Sequence, residues 1–234
     1  MFLNLKKLYD RKLAATNGEI GHIKDFYFDD KTWAVRYIVV DTGKWLTGRS
    51  VLLTPHAFTR FDQEEKILPV NLTRKQIENS PAMDTHRPVS RQYEANYYSY
   101  YGWPTYWEGG EMWGMSGFPA ITPSAASGNW RSYDYTQWDD VHLRSTKAVT
   151  GYEIHAKDGT LGTVSGFMVD DKSWVIRELV VETGHWYAGK HVMITPSKVE
   201  CISYPESKVF VTLTKEDIKQ TADNHVAFAG AGTR

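Results

Sequence analysis

The 234-residue chain is poor in the features that mark several large classes of protein. It has one cysteine, Cys201, so an intrachain disulfide and a multi-cysteine zinc site are both excluded. Its 27 Lys and Arg nearly balance 28 Asp and Glu, whereas dedicated nucleic-acid binders usually carry a basic excess. No apolar run approaches the roughly 18 residues that cross a bilayer, and the first residues lack the order of a signal peptide. We therefore expect a cytoplasmic protein with no transmembrane segment and no nucleic-acid partner.

Motifs that carry chemistry are scarce as well. The sequence has no P-loop, nucleophile elbow or H-E-x-x-H motif. Among eight histidines only His185 and His191 lie close together, and two ligands without a third are a weak signal for a metal site. Cys201 has no neighbouring histidine or basic cluster, which predicts a buried, unreactive thiol. We expect no catalytic residue, metal or cofactor, and we predict that the chain is not an enzyme.

The chain does contain a long internal repeat. Residues 16–55 match residues 157–196 at 17 of 40 positions without a gap, at an offset of 141 residues. Two long copies indicate a duplicated domain, because a solenoid is built from three or more short units. The matched residues to which we assign structural roles are Gly18 and Gly159, Asp30 and Asp171, Trp33 and Trp174, Arg36 and Arg177, and Trp45 and Trp186.

Each copy predicts short strands separated by turns. Asn17-Gly18 and Asp158-Gly159 are strong hairpin signals. The predicted strands are Ile20–Phe28, Trp33–Val40 and Val51–Thr54 in the first copy, and Leu161–Val169, Trp174–Val181 and Val192–Thr195 in the second. Thr73 and Thr214 are good N-cap residues for short helices near 74–79 and 215–221. The pattern predicts a mainly all-β fold of small barrels or sandwiches.

Two repeated polar features favour structural roles over functional ones. The Asp-Asp pairs at 29–30 and 170–171 lie between predicted strands, where aspartate is a favoured turn residue. Arg36 and Arg177 interrupt otherwise apolar strands. We interpret each arginine as half of an ion pair, with Asp41 or Glu182 or with the turn aspartates, or as a residue at a barrel rim. The alternative is a contact with an anion or a partner.

The order of these motifs resembles the PRC-barrel domain. In each copy G-x-x-G, an apolar strand, D-D-K-x-W, a β-branched strand and W-x-x-G lead to a strand that ends in T-P. The resemblance implies a first barrel at 1–80, a linker at 81–145, a second barrel at 146–222 and a tail at 223–234. The run from Pro88 to Trp107 is also similar to that of bacterial proteins labelled photosynthetic reaction-centre H-subunit-like. The chain lacks the N-terminal transmembrane helix of the true H subunit.

The linker holds the aromatic surplus of the chain. Residues 93–138 contain 14 of the 32 aromatic residues, whereas a flexible linker has almost none. Ser90 predicts the start of a helix over 91–101 that places Tyr93, Tyr97 and Tyr101 on one stripe, with Gly102 just beyond its end. The candidate interaction surface comprises Tyr97, Tyr101, Trp103, Tyr106, Trp107 and Trp113. These rings either pack on the barrels or in a homodimer seam, or form a platform for a peptide, a sugar or a flat ligand.

The resemblance implies an adaptor or scaffold that acts through protein–protein contacts. Matched positions that differ between the copies give the two barrels unlike surfaces, as at Tyr37 and Glu178. We expect a protein partner, and a homodimer is a further expectation. The alternative function is a small-ligand or metal-binding module that uses the linker aromatics or His185 and His191. Enzymatic activity ranks last.

Overall fold

A computed structural model describes residues 2–46, 49–58, 67–80, 97–103, 142–184, 187 and 189–220. These residues form two sheets with short helices, which confirms the all-β prediction. Within the ranges just given, no helix is long and apolar enough to cross a membrane. The predicted tail at 223–234 lies outside the described residues.

The first sheet is built mainly from the first repeat. Its strands run in the order β5-β4-β3-β2-β6, and β7 pairs with the C-terminal end of β3. The strands are β2 (Lys12–Ala15), β3 (Gly18–Asp29), β4 (Val35–Asp41), β5 (Ser50–Leu53), β6 (Ile67–Pro69) and β7 (Leu143–Ser145). All neighbours are antiparallel except β2 and β6. Helix α1 (Arg74–Glu78) follows β6.

The second sheet has the corresponding order β11-β10-β9-β8-β13-β12, and β1 pairs with β9. Its strands are β1 (Phe2–Asn4), β8 (Glu153–Ala156), β9 (Gly159–Asp170), β10 (Ile176–Thr183), β11 (His191–Ile194), β12 (Val199–Ser203) and β13 (Lys208–Val211). As β2 pairs in parallel with β6 in the first sheet, β8 pairs in parallel with β13 in the second. The remaining described helices are α2 (97–101), α3 (Thr146–Val149) and α4 (215–220).

The predicted hairpin turns also hold the helices α1 and α4 in place. The Asn17 side-chain oxygen accepts the backbone N–H of Arg74 at 2.8 Å, and the Asp158 carboxylate accepts that of Lys215 at 3.0 Å. Each helix start has free N–H groups that such an oxygen satisfies. Thr73 is the N-cap, as predicted, and forms a capping box with Gln76. The same cap recurs one repeat later between Thr214 and Asp217.

Close backbone approach explains several of the matched glycines. Gly21 has a φ of +139°, and a Cβ there would lie 2.0 Å from the Asp41 carbonyl oxygen. Gly162 meets the Glu182 carbonyl in the same way. Gly18 and Gly159, at the starts of β3 and β9, also have positive φ. A side chain at Gly21 or Gly162 would push adjacent strands apart, whereas at Gly18 and Gly159 the positive φ itself favours glycine.

The two halves exchange their first strands. β1 leaves the first repeat and pairs with β9, with Leu3 opposite Val169. β7, which begins the second repeat one offset later, pairs with β3, with Arg144 opposite Phe28. Each sheet is therefore completed by a strand from the other repeat, and the two exchanges are related by an approximate twofold axis.

Matched residues meet one another at that axis. Trp33 and Trp174, predicted as the first residues of strands, instead adopt left-handed φ values of 59° and 54°. This conformation turns their carbonyl groups toward the opposite repeat. Trp33 O accepts the N–H of Ile176 at 2.7 Å, and Trp174 O accepts the N–H of Val35 at 2.8 Å. Ala34 and its counterpart Val175 form an isolated β-bridge between them.

The hydrophobic core is continuous across both repeats. Leu3 and Leu5 are each 1% exposed in the same cluster as the core residues of the second sheet. The rings of Phe28 and Phe167 lie 5.6 Å apart across the seam. Separating the halves would expose these apolar surfaces to water, so burial of apolar area holds them together.

Candidate interaction surfaces

The described part of the aromatic linker is a helix that ends where the sequence predicts. Gly102 has a φ of +67°, its N–H bonds to Ser99 O at 3.2 Å, and the Trp103 N–H bonds to Tyr98 O at 3.0 Å. This pair of bonds is a Schellman motif, which glycine favours because it has no Cβ. The predicted residues 91–96 of the helix lie outside the described part of the chain.

Helix α2 docks on the outer face of the first sheet. Tyr97 and Tyr98 are both fully buried there. The Tyr97 ring meets the Tyr37 ring edge-on at a centroid distance of 5.9 Å, and its hydroxyl donates to the Leu52 carbonyl. Aromatic pairs in this geometry are favourable beyond the area they bury. Around this contact the sheet presents one apolar residue from each of four strands, which we call the first docking row: Leu143, Tyr27, Val39 and Leu52.

The C-terminal end of α2 carries a group of rings that are partly exposed. Tyr101 and Trp103 stack at 4.5 Å with planes 14° apart, and both are half-buried. Burial raises the pKa of Tyr101 to about 12, and burial lowers the pKa of His56, whose ring lies 6.1 Å from Trp103. Both groups are therefore neutral at pH 7. Tyr100 is 42% exposed, and its hydroxyl donates to Gln76 O at 2.9 Å.

For residues 97–103 the structure thus favours packing on the first barrel, with Tyr97 inside the contact. Tyr101 and Trp103 are half-buried against the same cluster and remain partly accessible. Three further residues of the predicted surface, Tyr106, Trp107 and Trp113, lie outside the described residues, as does Tyr93.

The turn aspartates have the structural roles predicted for them. Asp29 Oδ1 accepts the backbone N–H groups of Lys31 and Thr32, both at 2.9 Å. Asp170 repeats this turn, and the N–H of Ser173 is the main reason that its pKa is lowered. These carboxylates satisfy the backbone of tight turns, as side chains of aspartate commonly do.

Arg36 and Arg177 differ although their positions match. Arg36 is 2% exposed, and its Nη1 lies 3.1 Å from Asp29 Oδ2. Arg177 is exposed. For Arg36 this confirms the ion pair with a turn aspartate, and the partner is Asp29 rather than Asp41. A buried pair of this kind is costly to break, because the remaining charge keeps no counter-ion.

Asp30 links the first sheet to the start of the second repeat. Its carboxylate accepts from His142 Nδ1 at 2.9 Å and from Arg144 Nε at 2.6 Å. The Arg144 guanidinium also lies over the Tyr204 ring, 5.2 Å from its centroid. The positions that match His142 and Arg144 are Met1 and Leu3, so this polar link belongs to one of the two strand exchanges. Asp171 is half-buried.

Asp25 is a residue that sequence reasoning missed. Its carboxylate accepts from Ser145 Oγ at 2.5 Å, from Thr146 Oγ1 at 3.1 Å and from the Lys147 N–H at 3.1 Å. Burial raises the pKa of Asp25, although these hydrogen bonds oppose the rise. The group ties β3 to the first turn of α3. Its counterpart is Gly166, and a polar residue opposite glycine in the repeat is the signal that could have found it.

The other predicted residues fall into three groups. Trp45 is half-buried beneath the Arg74 guanidinium, 4.5 Å from the ring centroid. Trp186 and His185 lie outside the described residues. His191 is exposed, and the part of the chain that the structure describes holds no group of three metal-ligating side chains.

The prediction of a buried Cys201 is wrong, because the residue is exposed on β12. A register shift between Val199 and Cys201 changes the in-out alternation of that strand. Partial desolvation, Glu200 and Glu206 raise the pKa of the thiol, so its environment does not favour the reactive thiolate.

The first half of the chain matches a known protein family. With its parallel closing pair, its capped helix and its aromatic outer face, this half is a small β-domain that presents side chains on a rigid frame. Residues 3–77, from β1 to α1, match the family model of the PRC-barrel domain. No curated protein matches the chain. The resemblance seen in the first repeat is thereby confirmed, while the second copy and the H-subunit-like label stay predictions.

Proposed function

We propose that this protein is a non-enzymatic adaptor that holds protein partners on two PRC-type barrels. PRC-barrel domains are protein-interaction modules, and residues 3–77 match that family. The observation that carries the proposal is the reciprocal strand exchange, which joins two sheets of the same design into one frame with two outer faces.

The second sheet supports a second PRC-type barrel. It repeats the strand order, the parallel closing pair and the capped helix of the first sheet. Its left-handed tryptophan, Trp174, has the same role at the seam as Trp33. The proposal therefore treats residues 146–222 as a copy of the first barrel whose sequence has diverged.

The two copies differ at the position where α2 docks. Tyr37, which receives the Tyr97 ring on the first sheet, is matched by Glu178 on the second. One frame then carries two specificities, because binding depends on the side chains presented rather than on the fold.

A small-ligand module is the second candidate, and the stacked pair Tyr101 and Trp103 is the observation that favours it. Half-buried parallel rings suit a flat ligand. The metal variant of this candidate would use His185 and His191, and it would need further ligands.

The test is affinity capture of the full chain from its native host after mild cross-linking. Each enriched protein is then purified and its binding to the chain is measured directly. The adaptor proposal predicts at least one protein that binds the purified chain. Enrichment of none, together with a tight small-molecule hit in a thermal-shift screen, would overturn it in favour of the ligand module. Turnover that is lost in Asp170→Asn without loss of fold would favour an enzyme.

A further inference from the structure

The second sheet carries its own version of the first docking row. One repeat offset away from Leu143, Tyr27, Val39 and Leu52 lie Phe2, Met168, Val180 and Met193, which we call the second docking row. The strands correspond as well, since these residues come from β1, β9, β10 and β11. Val180 lies directly opposite Met193, as Val39 lies opposite Leu52.

The two rows differ in how far they are covered. Beneath α2, Val39 is 3% exposed and Leu52 is 1% exposed. On the second sheet Met193 is 49% exposed and Phe2 is 53% exposed, while Met168 and Val180 are half-buried. Large apolar side chains exposed side by side on one sheet face are uncommon unless something binds there. The first row shows what such a face binds, which is a short helix with aromatic residues.

The charge on the second face specifies the occupant further. Glu178 stands where Tyr37 receives the Tyr97 ring, and it pairs in register with Met168 of the row. Glu182, which is exposed, lies at the end of the face opposite His191. A second copy bound through the same row would bring like carboxylates together, which is unfavourable. A helix with a Lys or Arg at the position of Tyr97 would pair with Glu178 instead.

We propose that the second docking row binds an amphipathic helix of a partner protein, with apolar side chains over Val180 and Met193 and a basic side chain on Glu178. This inference deepens the adaptor function and rests on it. In this proposal α2 occupies the site on the first sheet, and a partner helix occupies the matching site on the second sheet.

A peptide made from the chain itself is a suitable probe. A labelled peptide of residues 91–103 carrying Tyr97→Lys is titrated with the full chain by fluorescence anisotropy. We expect saturable binding about tenfold tighter than that of the unmodified peptide, because lysine pairs with Glu178. In the Glu178→Tyr variant, which restores the first-sheet residue, the preference should reverse.

Two matched variants locate the site. Met193→Glu places a carboxylate in the middle of the row and should weaken binding of the Tyr97→Lys peptide by about tenfold or more. Ile67→Glu changes a residue of the first sheet that is exposed to a similar degree, 43%, and should leave binding unchanged. Thermal melting of both variants checks that they fold.

Three results would overturn the inference. The first is binding of the Tyr97→Lys peptide that neither Met193→Glu nor Glu178→Tyr weakens. The second is strong protection of Met193 from peroxide oxidation in the full chain, which would show that the chain covers its own row. The third is a dimer that Met193→Glu turns into a monomer, which would make a second copy the occupant.

If host proteins stay bound to Met193→Glu, the adaptor function stands and this site fails. If the peptide behaves as expected but no host protein is captured, the adaptor function fails instead.

Discussion

Arg36 and Arg177 occupy matched positions but differ in burial, and this difference yields a residue-scale prediction. Arg36→Met should destabilise the protein by about 3 kcal/mol, because it leaves Asp29 without its cation in a mostly buried place. Arg177→Met at the exposed position should change stability by less than about 0.5 kcal/mol. Urea unfolding at constant pH measures both values, and equal effects would contradict the assignment.

The burial of Asp25 leads to a prediction about how stability depends on pH. Burial raises the pKa of its carboxyl in the folded protein. Such a group contributes most stability below its unfolded pKa, near 4, and this contribution is lost as the pH rises through the folded pKa. The side chain at position 25 of the Asp25→Asn variant does not ionise. Between pH 3 and pH 7 the unfolding free energy of the wild type should therefore fall relative to that of Asp25→Asn.

Asp217 provides the control of opposite sign. Its pKa is lowered, mainly because the Thr214 hydroxyl donates to the carboxylate. Its contribution is therefore present above the unfolded pKa and is lost as the pH falls. Over the same rise in pH, the unfolding free energy of the wild type should increase relative to that of Asp217→Asn. If both differences run in one direction, the buried state of Asp25 is wrongly assigned.

At the scale of elements, α2 depends on Tyr97 for its place on the first sheet. Tyr97→Ala should cost about 3 kcal/mol through the lost apolar contact and the cavity it leaves. Tyr97→Phe loses the hydroxyl bond to Leu52 O, a cost of about 1 kcal/mol. Hydrogen exchange should quicken over residues 97–103 in Tyr97→Ala. The control is Ser99→Ala at an exposed position of α2, and equal exchange in both variants would show that α2 is held by other contacts.

Elements with a local chemical signal could be predicted from the sequence, whereas long-range pairings could not. Thr73 caps a helix start through its side chain, and Gly102 and the hairpin glycines adopt positive φ, so the reason for each lies within a few residues. The exchanged strands are three residues long and find partners in the opposite repeat. So short a pattern does not state which sheet it joins. The outer faces were unpredictable for the same reason, because the cover of Leu52 comes from Tyr97, 45 residues away.

On the scale of the whole molecule, the two sheets are built as one unit. Each gives the other a strand, and the carbonyl groups of Trp33 and Trp174 bond across the axis in both directions. The core is shared as well. In the adaptor that we propose, this arrangement keeps the two faces at a fixed separation and orientation. We therefore expect the halves to stay together when the linker between them is cut.

The last prediction follows from that independence. A protease site inserted between Gly109 and Gly110 should allow the chain to be cut without separating the halves. We expect the cut protein to elute as one species of unchanged mass and to unfold in one transition, because either half alone would lose a strand and expose core. Leu3→Asp, which buries a carboxylate where β1 meets β9, should release the halves after cutting. Two separately folded halves from the cut wild-type chain would mean that the exchange contributes little. The two faces would then owe their fixed geometry to the linker, and cutting it would set them free.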